Sequence, residues 1–214
     1  MKTLAINGSP RRNGNTAILL NKTLEGAASA GSETEFIHLN DNLYHGCVSC
    51  FGCKKIGGKS YGKCALNDNL TPILKKVEEA DAIVFGSPIY FGRETGHMLS
   101  FFERLFFQYF VYDGKYTCLL DKKIPTGYIY TMNVNEEQFK EFGYSGRVQY
   151  NENLLTRVFG QSESLLSYDT YQFDDYSKYV STAFSQEHKA KVRAEQFPID
   201  CQKAFEMGVR LAGK

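Results

Sequence analysis

The chain has 214 residues, 43% hydrophobic and 23% charged, with a formal net charge of +1. That describes a globular protein with one sizeable core, read as a single domain over 1–214, and excludes a disordered chain. So small a net charge gives no drive toward nucleic acid or a membrane surface, no apolar run approaches the ~20 residues that cross a bilayer, and no signal-peptide core stands at the N-terminus, so a cytoplasmic location is expected.

Lys2 to Asn7 reads as a buried strand. A helix from about Asn15 follows, with Ala17, Leu20, Leu24 and Ala28 on one face. Glu35 to Leu39 is the second strand, and Asn40 to Asn67 is a long irregular stretch of the kind that usually carries function. Leu70, Ile73, Leu74, Val77 and Ala80 repeat at helical spacing, with Pro72 tolerated in a first turn. Ala82 to Gly86 is the third strand, and Leu99, Phe102, Phe106 and Tyr109 mark the next helix face. Ile124 to Met132 is the fourth strand, Asn135 to Phe159 is partly helical, and Leu165 to Phe173 reads as the fifth strand. The tail is helical from about Gln186, broken near Pro198, with Cys201, Ala204, Phe205, Gly208, Leu211 and Ala212 as its apolar stripe. Apolar strands alternating with helices predict an α/β fold, a flavodoxin-like doubly wound five-stranded parallel sheet with helices on both faces. In such a sheet a ligand sits beyond the carboxyl ends of the strands, where the loops after the first, third and fourth strands gather.

The first of those loops is Asn7-Gly-Ser-Pro-Arg-Arg-Asn-Gly-Asn-Thr16. A glycine-containing turn between strand and helix aims backbone N–H groups at an anion over the helix N-terminus. Arg11 and Arg12 add charge; Ser9, Asn15 and Thr16 add neutral partners. The loop is not a Walker A motif: Gly8 and Gly14 have five residues between them and Asn15 stands where the lysine belongs. It lacks the dinucleotide Gly-x-Gly-x-x-Gly as well. Amides and hydroxyls in this pattern suit one terminal phosphate monoester. The loop after the third strand, Gly86-Ser-Pro-Ile-Tyr-Phe-Gly92, supplies a proline-stiffened aromatic wall, and Gly92 allows close backbone approach. A phosphate cradle and an aromatic wall at one rim suit FMN.

Four of the six cysteines crowd between Cys47 and Cys64, with Cys47, Cys50 and Cys53 two residues apart. In a reducing compartment such crowding reads as metal, cluster or redox chemistry. Cys47, Cys50, Cys53 and Cys64 can ligate a [4Fe–4S] cluster or a zinc ion, or stand as reduced thiols in a binding loop, and the spacing leaves all three open. Lys54, Lys55, Lys59 and Lys63 make the loop basic, which reads first as a solvated face. Cys118 and Cys201 read as small core hydrophobes. His38, His45, His97 and His188 are scattered and read as surface or satisfied histidines. The aromatics from Phe101 to Tyr116 exceed what one helix face buries and predict a subunit contact.

The first loop, the Cys-x-x-Cys-x-x-Cys run, Glu79-Ala-Asp81 leading into Gly86-Ser-Pro-Ile-Tyr90, and the tail Phe197-Pro-Ile-Asp200 with Lys203-Ala204 and Gly208 resemble the NADPH-dependent FMN reductase and iron–sulfur flavoprotein group. The resemblance implies bound FMN, NAD(P)H as cosubstrate, a small-molecule or protein electron acceptor, and a homodimer or homotetramer. By position, Ser9, Arg11, Asn15, Thr16 and Ala17 would hold the phosphate. Pro88, Ile89, Tyr90, Phe91 and Gly92 would border the ring, and Thr131, Met132 and Asn133 would line its far edge. In the iron–sulfur flavoproteins the fourth cysteine follows within a few residues; here ten intervene, among them Gly57, Gly58 and Gly62. An FMN-dependent oxidoreductase needs binding and orientation more than an acid–base residue, and no catalytic side chain is assigned. An iron–sulfur electron-transfer module is the competing expectation.

Overall fold

Alternation of side chains across each strand builds two cores from one sheet. In the computed structural model, which describes residues 1–213, the strands are β1 (Lys2–Asn7), β2 (Glu33–His38), β3 (Ala82–Pro88), β4 (Ile124–Thr131) and β5 (Gly160–Ser167). All pair in parallel, in the order β2-β1-β3-β4-β5. Leu4, Ile6, Ile83, Phe85, Tyr128 and Tyr130 face one layer, which holds α2 (Thr71–Glu79), α3 (Gly96–Tyr109) and α5 (Ser145–Phe159). Ala5, Ala82, Val84, Ile129 and Leu165 face the other, which holds α1 (Asn15–Ser29) and α6 (Gln186–Ala212). The short α4 (Glu136–Glu141) carries Asn135 and Gln138 as a reciprocal capping box. The doubly wound five-stranded sheet expected from the sequence is present. Among the described residues no helix is long and apolar enough to cross a membrane.

The two helices of the second layer touch backbone to backbone. A Cβ on Gly208 would lie 1.8 Å from the Thr23 carbonyl oxygen, and one on Gly26 would lie 1.9 Å from that of Phe205. Only residues without a side chain allow that contact.

Several boundaries differ from the sequence reading. β5 begins at Gly160, directly after α5, and ends at Ser167, so Asp169 to Phe173 is loop. As an edge strand paired only with β4, it is half exposed and carries polar residues, which hides it from an apolar-run criterion. α6 continues through Pro198 without a break. Pro198 is exposed, so water reaches the carbonyl that its missing N–H leaves free. On α1 the buried small residue is Ala27, and Ala28 is exposed. On α3, Leu99 and Phe106 are half-buried, while Met98, Phe101, Leu105, Arg104 and Gln108 are buried. Cys118 and Cys201 are half-buried, each against one of the two cores.

Candidate functional site

At the carboxyl end of β1 the chain turns through a loop fastened at several points. The Gly8 N–H donates to the Gly86 carbonyl at 2.8 Å. Asn7 Oδ1 accepts from the Ser9 N–H at 2.9 Å, and Ser9 Oγ accepts from the Arg11 N–H at 3.1 Å. The loop delivers the chain into α1 at Gly14, an N-cap with no side-chain hydrogen bond, and the first turn carries no acidic residue. By contrast α3, α4 and α6 are capped by Thr95, Asn135 and Ser185. The first-turn amides of α1, like those of α2 and α5, thus lack the side-chain partner that α3, α4 and α6 supply, and those of α1 sit at the rim, where the helix dipole favours an anion.

The neighbouring loops are tied to this turn. Thr16 Oγ1 and Thr131 Oγ1 share a buried hydrogen bond of 2.7 Å, which joins α1 to the end of β4. Thr95 Oγ1 donates to the Gly8 carbonyl at 2.7 Å, and the Ile89 N–H donates to the Thr131 carbonyl at 2.9 Å. The loops after β1, β3 and β4 therefore form one rim. Arg11 and Asn15 line an open cavity of about 710 Å³ with Gly14, Tyr171, Phe173 and Arg193. Arg11 Nη1 donates to the Gln172 carbonyl at 2.6 Å, Asn15 Nδ2 to the Tyr171 carbonyl at 2.9 Å, and Arg193 Nη1 to Asn15 Oδ1 at 2.9 Å.

Ser9, Thr16 and Ala17 are buried, so Ala17 offers the rim only its backbone. Tyr171 and Phe173 fall in the Leu165–Phe173 segment that the sequence reads as strand, which hides them; Arg193 lies on α6, far along the chain, and only its tertiary contact with Asn15 brings it to the cavity. The aromatic and acidic run from Tyr168 to Tyr176, poor in alternation, is the signal that marks it as loop.

Tyr90 and Arg93 exchange both backbone hydrogen bonds, at 2.7 and 3.1 Å, across Phe91 and Gly92. Both central residues have positive φ, 51° and 77°, the signature of a type I′ turn. Phe91 holds that left-handed conformation with its side chain wholly exposed, at a cost of about 1–2 kcal/mol. Asn is the favoured residue there. Phe91→Asn is expected to raise the thermal midpoint by roughly 2–4 °C, about 1 kcal/mol for a chain of this length, while removing the aromatic face; differential scanning calorimetry with and without FMN checks both effects. Pro88 and Ile89 are half-buried beside this turn.

Met132 is 3% exposed and packs in the core. Its N–H donates to the Ser167 carbonyl and its carbonyl accepts from Thr170, so it fixes the end of β4. Asn133 presents a buried amide oxygen with no partner among the described residues, an unmet acceptor.

Behind the rim, Asn7 Nδ2 donates to His38 Nδ1 at 2.9 Å. The other end of the same amide receives the Ser9 N–H, so His38 must be neutral at Nδ1. Burial holds the His38 pKa below its ordinary value, with Asp41 opposing and Arg12 and His97 reinforcing the shift. A histidine lowered on folding binds its proton more readily unfolded, so stability falls as pH drops from the unfolded value of about 6.5 toward the folded one. Thermal melts from pH 7.5 to 5.5 should show this loss, and His38→Gln should flatten it.

The cysteines occupy a separate place. Cys47, Cys50, Cys53 and Cys64 all line one cavity of about 20 Å³, room for a single water. Ser49 and Phe51 both have positive φ, 53° and 56°, on either side of Cys50. As the loop stands, no three His, Cys, Asp or Glu side chains among the described residues are grouped to hold a metal ion. Lys54 is not part of a solvated face. Its ammonium lies against the Phe107 and Phe110 carbonyls and 4.7 Å from the centre of the Phe107 ring. Burial lowers its pKa and raises that of the Cys53 thiol.

The chain is 42% identical over 104 residues to an iron–sulfur flavoprotein of Methanocaldococcus jannaschii, covering 49% of this chain and 51% of that one. It is also 42% identical over 104 residues to an iron–sulfur flavoprotein of Archaeoglobus fulgidus, covering 49% and 48%. The match thus spans about half the length of these curated relatives. Among solved structures, the fold is shared with an NAD(P)H:quinone oxidoreductase from Methanothermobacter marburgensis, at TM-score 0.72 and 16% identity over 99% of this chain and 98% of that one. It is shared as well with an FMN-dependent NADH-azoreductase from Bacillus anthracis in complex with FMN, at TM-score 0.68 and 14% identity over the whole of both chains. The profile of the NADPH-dependent FMN reductases matches residues 1–136, more than half of the sequence, and the chain belongs to that family.

Proposed function

We propose that this chain is an FMN-dependent NAD(P)H oxidoreductase of the flavin, quinone or small-molecule reductase type. The observation that carries the reading is the uncapped N-terminus of α1, tied by Thr16, Ile89 and Thr95 to the two loops that would flank a flat ring. The residues fit the cofactor. Ser9, Arg11, Asn15, Thr16 and the Ala17 amide stand where a phosphate monoester would find donors and positive charge. Pro88 to Gly92 would border the ring, and Thr131, Met132 and Asn133, with the unmet Asn133 amide oxygen, would line its far edge. When bound, FMN takes a hydride from a nicotinamide and passes electrons to an acceptor. The side chains bind and orient, and none is assigned a proton-transfer role. Protein purified without added flavin should be yellow and bleach on addition of NADH or NADPH; a colourless protein that ignores added FMN overturns the reading.

A second reading is favoured by the four thiols that share one cavity. Their donor set suits an iron–sulfur cluster held by Cys47, Cys50, Cys53 and Cys64, and the curated relatives bear that name. The present cavity is too small for such a cluster, so loading must open the loop, and Gly57 and Gly62, both at positive φ, supply hinges. The chain would then also relay electrons singly. Iron and sulfide at background after anaerobic purification remove this reading. Exposed Phe51 and Tyr112 beside Phe107 support a homodimer or homotetramer; a monomer at micromolar concentration in light scattering argues against it.

A further inference from the structure

The cavity of about 710 Å³ beside the turn after β1 runs down the outside of α1, since Ile18, a full turn past Gly14, lines it together with Arg193 of α6. None of Pro88 to Gly92 or Thr131 to Asn133 lines it, so it is distinct from the crevice proposed for the ring. Its volume suits a small organic ligand. Arg11, Asp174 and Arg193 all line it, and none of these charges pairs with another among the described residues. By comparison, Arg12, Arg104, Arg147 and Arg210 each meet a carboxylate. Arg11 and Arg193 instead spend an N–H on a neutral oxygen, the Gln172 carbonyl at 2.6 Å and Asn15 Oδ1 at 2.9 Å. A guanidinium carries five N–H donors, so both keep donors in hand for an anion. The Phe197 ring, its centre 4.1 Å from the Arg193 guanidinium, steadies that side chain.

The facing wall is aromatic. Phe173 and Tyr179 stack with ring centres 4.2 Å apart and planes inclined by 14°. Tyr179 is 54% exposed, so its outer face is open. The loop that carries them is built in advance. Buried Tyr176 receives Tyr171 and Phe173 edge-on, at 5.0 and 5.1 Å between centres, and its hydroxyl accepts the Gln172 N–H at 3.1 Å. A site already ordered loses less entropy when it binds.

Arginines without a carboxylate suit phosphate, an open aromatic face suits a nucleobase, and an unpaired acid suits the hydroxyls of a ribose. We propose that this cavity binds a purine nucleoside diphosphate, with its phosphates at Arg11 and Arg193, its ribose diol at Asp174 and its base on Tyr179. That chemistry arrives from two sources, the adenosine diphosphate end of a nicotinamide dinucleotide or a free nucleotide. Only the first source rests on the oxidoreductase reading above; the site itself does not.

The test titrates ADP by calorimetry into the full chain loaded with FMN. Micromolar binding is expected, tighter than that of adenosine, inorganic phosphate or 2′-deoxy-ADP. Tyr179→Ser removes the stacking face and should weaken ADP about tenfold. Arg193→Gln keeps an N–H for Asn15 but removes the charge, and should weaken ADP about tenfold or more while leaving adenosine unaffected. Asp174→Asn should narrow the gap between ADP and its 2′-deoxy form. Tyr179→Ser and Asp174→Asn should hold FMN as the wild type does, since the bonds to the turn after β1 come from the Tyr171 and Gln172 carbonyls. ADP that raises the KM for NADH or NADPH and leaves kcat unchanged marks the occupant as the dinucleotide's adenosine end; ADP that binds without moving KM marks it as a free nucleotide. Colourless protein that still binds ADP keeps this site and overturns the flavin reading alone. Yellow protein that takes up no ADP at millimolar concentration, or folded variants that all bind it as the wild type does, overturns the site.

Discussion

Gly14→Asp should leave the apoprotein as stable as the wild type, or a few tenths of a kcal/mol more so, and weaken FMN binding on the order of 100-fold. Gly14 is the N-cap of α1, with φ −78° and ψ 177°, a conformation open to any residue. A Cβ there would lie 3.0 Å from Arg11 Cβ, and Arg11 is exposed, so a shift of a few tenths of an ångström accommodates it. The new carboxylate would accept the first-turn amides, as Thr95, Asn135 and Ser185 do for their own helices. It would also place a negative charge where the proposed phosphate would lie. Two unit charges about 4 Å apart near a protein surface interact by up to about 4 kcal/mol, more than the roughly 2.8 kcal/mol that 100-fold requires. The two readouts move in opposite directions, which separates a lost ligand from a damaged fold. Fluorescence quenching titrations of FMN beside apoprotein melts provide the measurement; unchanged affinity would place the phosphate elsewhere.

Gly208→Ala should cost at least about 3 kcal/mol and lower the thermal midpoint by roughly 6–12 °C. The added methyl meets the Thr23 carbonyl oxygen at 1.8 Å and the Ala27 nitrogen at 2.8 Å, both backbone atoms of a buried helix that cannot rotate away. α1 and α6 must then part. The damage should reach the crevice, since Arg193 on α6 holds Asn15 on α1 at 2.9 Å and both line the cavity beside the phosphate loop. Gly26→Ala forces the same separation through Phe205, so the double variant should cost less than the sum of the two single changes. Calorimetry of the three variants tests this; a midpoint within a degree of wild type would mean the helices are not in contact as described.

The sheet was legible because its inner strands are buried on both faces and bounded by glycine or proline. β1, β3 and β4 start where their apolar runs start, at Lys2, Ala82 and Ile124. β5 was displaced because an edge strand with the sequence Gly160-Gln-Ser-Glu-Ser carries almost no apolar signal, while the aromatics beyond it mimic one. That displacement conceals Tyr171 and Phe173, while Arg193, on α6, reaches the cavity beside Arg11 and Asn15 only through tertiary contact. The turn after β1 was readable since its glycines, hydroxyls and amides lie within ten consecutive residues. Arg104 and Gln108 were not, because periodicity assigns polar residues on an apolar helix to the solvent face. Only tertiary contact with Asp68 and Cys64 reveals them as interior.

Helix α3 begins at Thr95, which grips the phosphate loop, and reaches Arg104 nine residues later, about 14 Å along its axis. Four residues further on, Gln108 accepts the Cys64 N–H at 2.8 Å. One rod, about 20 Å from Thr95 to Gln108, thus joins the rim of the sheet to the cysteine loop, and a push on either end is carried to the other as movement of the whole lever.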